Sequence, residues 1–205
     1  MSRDDLALRA PGTRALIRFP RWRLTRRTSL KRGHRATNGP WWFSSSGDGR
    51  FDLRSPRGTC YLAFDDRTAI RETVGESLTS LGVITREFAA DRVISTLRVP
   101  SSHTLADTCA ESAADFGLTR ELATMTPYDI PHAWAAALDT DFDGIRYQTR
   151  FTTTPNANAA ALFGPAGEAD WPADPQPEPL TLAASRCGIA VQTLPRAVRI
   201  VEPPE

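Results

Sequence analysis

Clustered metal ligands, paired cysteines and long apolar runs are all missing from this sequence, and each absence closes off a class of chemistry. The three cysteines (Cys60, Cys109, Cys187) form no C-x-x-C pair. The three histidines (His34, His103, His132) are scattered, with no H-E-x-x-H. Neither residue type has the spacing of a metal site, and no metal is expected. An odd cysteine count with no secretory apolar segment near Met1 reads as buried thiols in a reducing, cytoplasmic setting. No stretch approaches the ~18 apolar residues of a membrane span. There is no G-x-x-x-x-G-K-[ST] and no G-x-G-x-x-G after a strand, so the usual phosphate-cradling loops are missing. A G-x-S-x-G nucleophile elbow is absent too. Lysine occurs once, as Lys31, among 25 basic residues, so an abundance of arginine says little about function by itself.

The 205 residues, 40% hydrophobic and 24% charged, suit one soluble domain able to bury its own core. The net charge of +1 conceals an asymmetry: eleven basic residues lie between Arg3 and Arg35, against Asp4 and Asp5. This arm reads as a solvated N-terminus, with weak nucleic-acid contact as the other reading.

Residues 1–28 show no sustained period and are expected to be an extension. Residues 29–170 carry the dense patterning of a core, and 171–205 hold a proline-rich linker (WPADPQPEP) and a closing strand, IAVQTL. Within the core, TCYLAF reads as a short buried strand between Gly58 and Asp65-Asp66. Either aspartate can cap the helix that follows, whose apolar stripe is Ile70, Val74, Leu78 and Leu81, ending at Gly82. VISTLRV is a second strand, stopped by Pro100. Pro131 opens a helix bearing Trp134, Ala135 and Leu138. GIRYQTRF alternates cleanly, with Ile145, Tyr147, Thr149 and Phe151 on one face. Two strand–helix units beside antiparallel-looking strands predict a mixed α/β or α+β domain.

Glu72 lies roughly 200° around its helix from the apolar stripe, so it faces water or a cleft. Arg50 follows a Gly47-Asp48-Gly49 loop and the aromatic run Trp41–Phe43. Those aromatics either plug the core or, with the arginine, grip a diphosphate and a flat ring.

LKRGHRATNGPWWFSSSGDGRFD, GTCYLAFDDRTAIRE, DGIRYQTRF and NAAALFG, in that order, resemble the RES domain family of bacterial NAD-consuming proteins. The likeness covers about Ser29 to Gly164. It implies an α+β domain similar in fold to ADP-ribosyltransferase toxins, with the basic extension and proline-rich end added. It also implies an enzyme that cleaves NAD+ by hydrolysis or phosphorolysis, with ADP-ribosyl transfer to a protein, or an inactive nucleotide-binding module, as alternatives. NAD+ would be substrate, phosphate a co-substrate, and no separate cofactor would be needed. A small antitoxin is the partner that the resemblance implies. By motif, Glu72, Arg32 and Thr149 become catalytic, with Thr149 standing where the family has serine. Arg50, Tyr61 and Asn158 become NAD-binding. Arg18 is the fallback for Arg32, and Lys31 departs from the family's usual aromatic.

Overall fold

The computed structural model describes residues 7–13, 15–154 and 158–193. Residues 1–6 and Arg14 of the expected extension, and Leu194 of the expected closing strand, lie outside them. The first half of the chain forms β1 (Arg21–Leu24), β2 (Leu30–Arg35), β3 (Trp42–Phe43), β4 (Arg57–Ala63), α1 (Asp66–Val74), α2 (Glu76–Leu81), β5 (Ile84–Thr85) and α3 (Arg86–Ala89). The second half adds β6 (Arg92–Leu97), β7 (His103–Asp107), α4 (Asp129–Leu138), β8 (Gly144–Gln148), β9 (Asn158–Pro165), β10 (Gly167–Glu168), β11 (Glu178–Pro179), α5 (Leu180–Arg186) and β12 (Val191–Gln192). Eight strands build one mixed sheet in the order β1-β7-β8-β9-β4-β2-β6-β11, antiparallel except for the β7–β8 pair. This is the expected α+β domain. Among the described residues no helix is long and apolar enough to cross a membrane.

Strand alternation sorts the core into two faces. On the back, Cys60, Leu62, Ala160 and Leu162 pack with Leu30, Leu97 and the aromatics Trp41 and Phe43. The run Trp41–Phe43 is therefore core at both ends, while Trp42 is exposed. The front is covered by two separate groups. One is α4 with the chain before β1, where Phe19 and Trp134 lie over Ala161, Ile145 and Phe163. The other is α1, α2 and α5, where Ile70, Val74 and Ala184 lie over Ala63 and Ile94. Between these groups the middle of the front face is left uncovered by helix.

Three expectations are corrected. The helix after β4 is not continuous: Gly75, at φ 65°, ends α1 and begins α2, which leaves Leu81 at 48% exposure, outside the apolar stripe. The described part of the expected extension, residues 7–13 and 15–28, belongs to the domain, because β1 pairs with β7 and Leu8, Leu16 and Phe19 are buried. Of the three thiols only Cys60 is buried; Cys109 is exposed.

Candidate functional site

The gap on the front face is a cavity of about 340 Å³, within the usual range for small-molecule sites. Its floor is the sheet, with Lys31 and Gly33 of β2, Tyr61 and Ala63 of β4, Tyr147 of β8 and Ala159 of β9. One wall is α1 with Glu72 and Thr73, and the others are the Asp48–Arg50 loop, Tyr128, Arg150 and Phe151. Helix α1 comes close because β2 has a glycine opposite it: a Cβ on Gly33 would collide with the Thr73 hydroxyl. Asp65 starts α1 as expected, its carboxylate accepting from Thr68 N at 2.8 Å.

Of the two readings open for Glu72, the structure takes the cleft. Its Oε1 accepts from Phe151 N at 2.9 Å, and the Phe151 carbonyl accepts from Arg71 Nη1 at 3.3 Å. The segment after β8 is thereby fastened to α1 through both backbone polar groups of one residue. Burial raises the Glu72 carboxyl above its ordinary value, while the Phe151 N–H and the Arg50 charge favour the ionised form. Burial, and next the Glu72 charge, keep the neighbouring Tyr147 phenol protonated.

Tyr61 and Arg50 meet at the glycine loop. The Tyr61 hydroxyl donates to Asp52 Oδ1 at 2.9 Å and accepts from Phe51 N at 2.8 Å. Burial, then the Asp52 charge, hold this phenol well above its usual range. Asp52 Oδ2 accepts from Ser44 Oγ (3.0 Å), Ser46 Oγ (3.3 Å), Gly47 N and Gly49 N (both 3.1 Å). One buried carboxylate thus sets the loop that carries Arg50. Gly49 has no room for a side chain, since its Cβ would stand 2.5 Å from the Tyr61 hydroxyl. Arg50 Nη1 donates to Met125 O at 2.8 Å, and its guanidinium lies 4.8 Å from the centre of the Tyr128 ring. Burial lowers Arg50 from its ordinary value, and the Arg150 charge adds to the effect while Tyr128 opposes it.

Arg50, Tyr61 and Glu72 are therefore brought to one cavity; the other expected residues are placed differently. Arg32 borders the cavity along its strand, but its guanidinium is on the back face. There Nη1 donates to Pro40 O (2.7 Å) and Cys60 Sγ (2.6 Å), and Nη2 to Trp42 O (3.0 Å). The β2–β4 register explains this: Lys31 is opposite Ala63 on the front, so its neighbour Arg32 goes to the back. Lys31 itself pairs with Asp66 at 3.1 Å. Arg18, the fallback, is exposed in the segment before β1 and does not line the cavity. Thr149 is buried and is not a lining residue, whereas Tyr147 and Arg150 on either side of it are. Asn158 lines a second cavity of about 660 Å³, beyond Phe51 and Tyr147, and its Oδ1 accepts from Cys109 Sγ at 3.4 Å.

The sequence reading missed Asp52, Tyr128, Tyr147 and Arg150 as neighbours of the site. Asp52 had a signal, an acceptor placed just after a serine- and glycine-rich turn full of N–H and O–H donors. Tyr147 and Arg150 sit on opposite sides of their alternating strand. Arg150 reaches the cavity only because the strand ends at Gln148, which alternation cannot show.

A search of curated proteins finds no match to this chain. Among solved structures, a chain from the crystal structure of the M. tuberculosis MbcT–MbcA toxin–antitoxin complex is similar, with a TM-score of 0.58 at 13% identity, covering 87% of this chain and 98% of that one. The family model described as RES domain matches residues 21–183. That span starts at β1 and runs into α5, enclosing the whole sheet and the cavity, and the chain belongs to the RES domain family.

Proposed function

We propose that this protein cleaves the nicotinamide–ribose bond of NAD+, passing the ADP-ribosyl group to water or phosphate. The observation that carries the reading is the convergence of the half-buried Glu72 carboxylate, the Arg50 guanidinium and the rings of Tyr61 and Tyr147 on one cavity. When the glycosidic bond breaks, its electron pair goes to the pyridinium ring, so nicotinamide leaves neutral and positive charge develops on the ribose. Glu72 is the anion for that charge, fixed in advance by the Phe151 N–H. Arg50 matches the diphosphate oxygens with forked donors. The tyrosine rings offer flat apolar faces to nicotinamide. The fold's likeness to a chain from a toxin–antitoxin complex supports extending the proposal to a toxin role with a small protein antitoxin.

A nucleotide-binding module without turnover is the second reading. It is favoured by Thr149 and Asn158, which lie outside the cavity lining. One experiment separates the two: incubation of the purified protein with NAD+, with and without phosphate, followed by mass spectrometry of nicotinamide and the ribose-bearing product. Nicotinamide release is expected, and the product mass distinguishes hydrolysis from phosphorolysis. NAD+ binding without release, persisting when candidate acceptor proteins are added, would select the second reading.

A further inference from the structure

With Arg32 committed to the back face, the cavity needs another partner for a doubly charged diphosphate. Arg150 lines the cavity beside Arg50 and Glu72. Its backbone position is set on both sides, since β8 ends two residues earlier and the next residue, Phe151, is bonded to Glu72 and Arg71. Its Nη2 lies 3.4 Å from Glu76 Oε1, and the Glu76 side chain is 78% exposed. A pair of that length with a solvated carboxylate is weak and easily exchanged. Arg150 and Phe151 also border a shallow groove with Arg71, Glu76, Thr79 and Ser80, so the groove continues from the cavity. Two guanidiniums, Arg50 and Arg150, act on the carboxylate of Glu72. Among the described residues Arg150 is otherwise balanced only by the solvated Glu76, so release of that one pair turns positive charge toward the cavity.

We propose that Arg150 is the second arm of a diphosphate clamp with Arg50, that Glu76 is the counter-ion a diphosphate displaces, and that the rest of the nucleotide leaves the cavity along the groove over Phe151. This deepens the NAD+ reading and rests on it for the identity of the ligand. The charge argument requires only a dianion. Bidentate guanidinium–phosphate bonds are shorter and stronger than a long surface ion pair, so the exchange of Glu76 for diphosphate is favourable.

The test is calorimetric titration of wild type, Arg150→Ala, Arg150→Lys and Glu76→Gln with ADP-ribose, nicotinamide riboside and inorganic pyrophosphate. Loss of a charge-assisted contact predicts that Arg150→Ala weakens ADP-ribose and pyrophosphate by about ten- to hundredfold. Nicotinamide riboside, which has no phosphate, is expected to bind unchanged. Glu76→Gln should tighten ADP-ribose by about two- to fivefold, and Arg150→Lys should fall between wild type and alanine. Unchanged ADP-ribose affinity in Arg150→Ala, or an equal loss for nicotinamide riboside, overturns the clamp even where NAD+ is cleaved. A protein that ignores NAD+ but binds pyrophosphate through Arg150 would uphold the clamp and sink the NAD+ reading alone.

Discussion

Glu72 is both an anchor, through Phe151 N, and the charge offered to the cavity. These roles respond differently to removal of the charge. Because burial raises its carboxyl, the folded state binds a proton that the unfolded chain releases. The group's contribution to stability is therefore complete below the unfolded value and is lost as pH rises through the raised folded value. At neutral pH the charge is a cost to folding. Glu72→Gln retains an oxygen to accept from Phe151 and loses the charge. The expected outcome is an unchanged or higher Tm at neutral pH, with nicotinamide release down on the order of 10²–10³-fold or more. Thermal denaturation and product assay on the same samples check it; a lower Tm with a proportionate fall in activity would make Glu72 an anchor only. Wild-type activity should also fall on the acid side, with a midpoint above the ordinary glutamate range. The helical angle of Glu72 was legible in the sequence and left two environments open. The cleft came from the second helical group across the sheet, which no local period contains.

At the level of elements, the chain from Ser46 to Asp52, beyond the Ser44–Thr59 bridge, is held by a carboxylate rather than by a strand or helix. Asp52→Ala would leave two hydroxyls and two N–H groups without their acceptor, together with the Tyr61 hydroxyl. Unmet donors at a buried site predict a loss of roughly 3 kcal/mol, and Arg50 would lose its fixed position. Gly49→Ala should act similarly, by collision with Tyr61 and Asp52. Chemical denaturation gives the stability loss, and ADP-ribose titration should weaken in parallel. The sequence shows some elements clearly. The Asp65 cap, the strand around Tyr61 and the Pro131 helix all rest on local chemistry. It does not show β11, which is formed by the last two residues of the proline-rich stretch, or α5, which follows it. Pro179 is tolerated because β11 is an edge strand, paired only to β6. The break at Gly75 is hidden for the opposite reason: the apolar spacing runs through it unbroken, and only the backbone turns.

For the whole molecule, the chain before residue 29 completes, with α4, the cover over half of the front face. Phe19 is 1% exposed and packs on Phe116, Trp134 and Phe142 at centroid distances of 5.0, 6.3 and 6.2 Å. Trp134 Nε1 donates to Arg9 O at 2.9 Å, which ties α4 to the same segment. The absence of a period there made it read as an extension, since its buried residues serve a cluster assembled from distant elements and not a face of their own. Strand β1 occupies one edge of the sheet; without it β7 would expose its ladder. A chain starting at Ser29 is therefore expected to aggregate or to unfold well below the full-length protein. Phe19→Ala, which leaves β1 in place, should cost about 3–5 kcal/mol by cavity formation. Retention of the full-length Tm by the truncated chain would restore the reading of residues 1–28 as a detached arm. Both variants also bear on the site. Phe51 and Tyr147, in edge-on contact at 4.9 Å, belong to the cluster that Phe19 completes, and Tyr147 is part of the cavity lining. Loss of ADP-ribose affinity in still-folded Phe19→Ala would show that the N-terminal segment supports the cavity through this cluster.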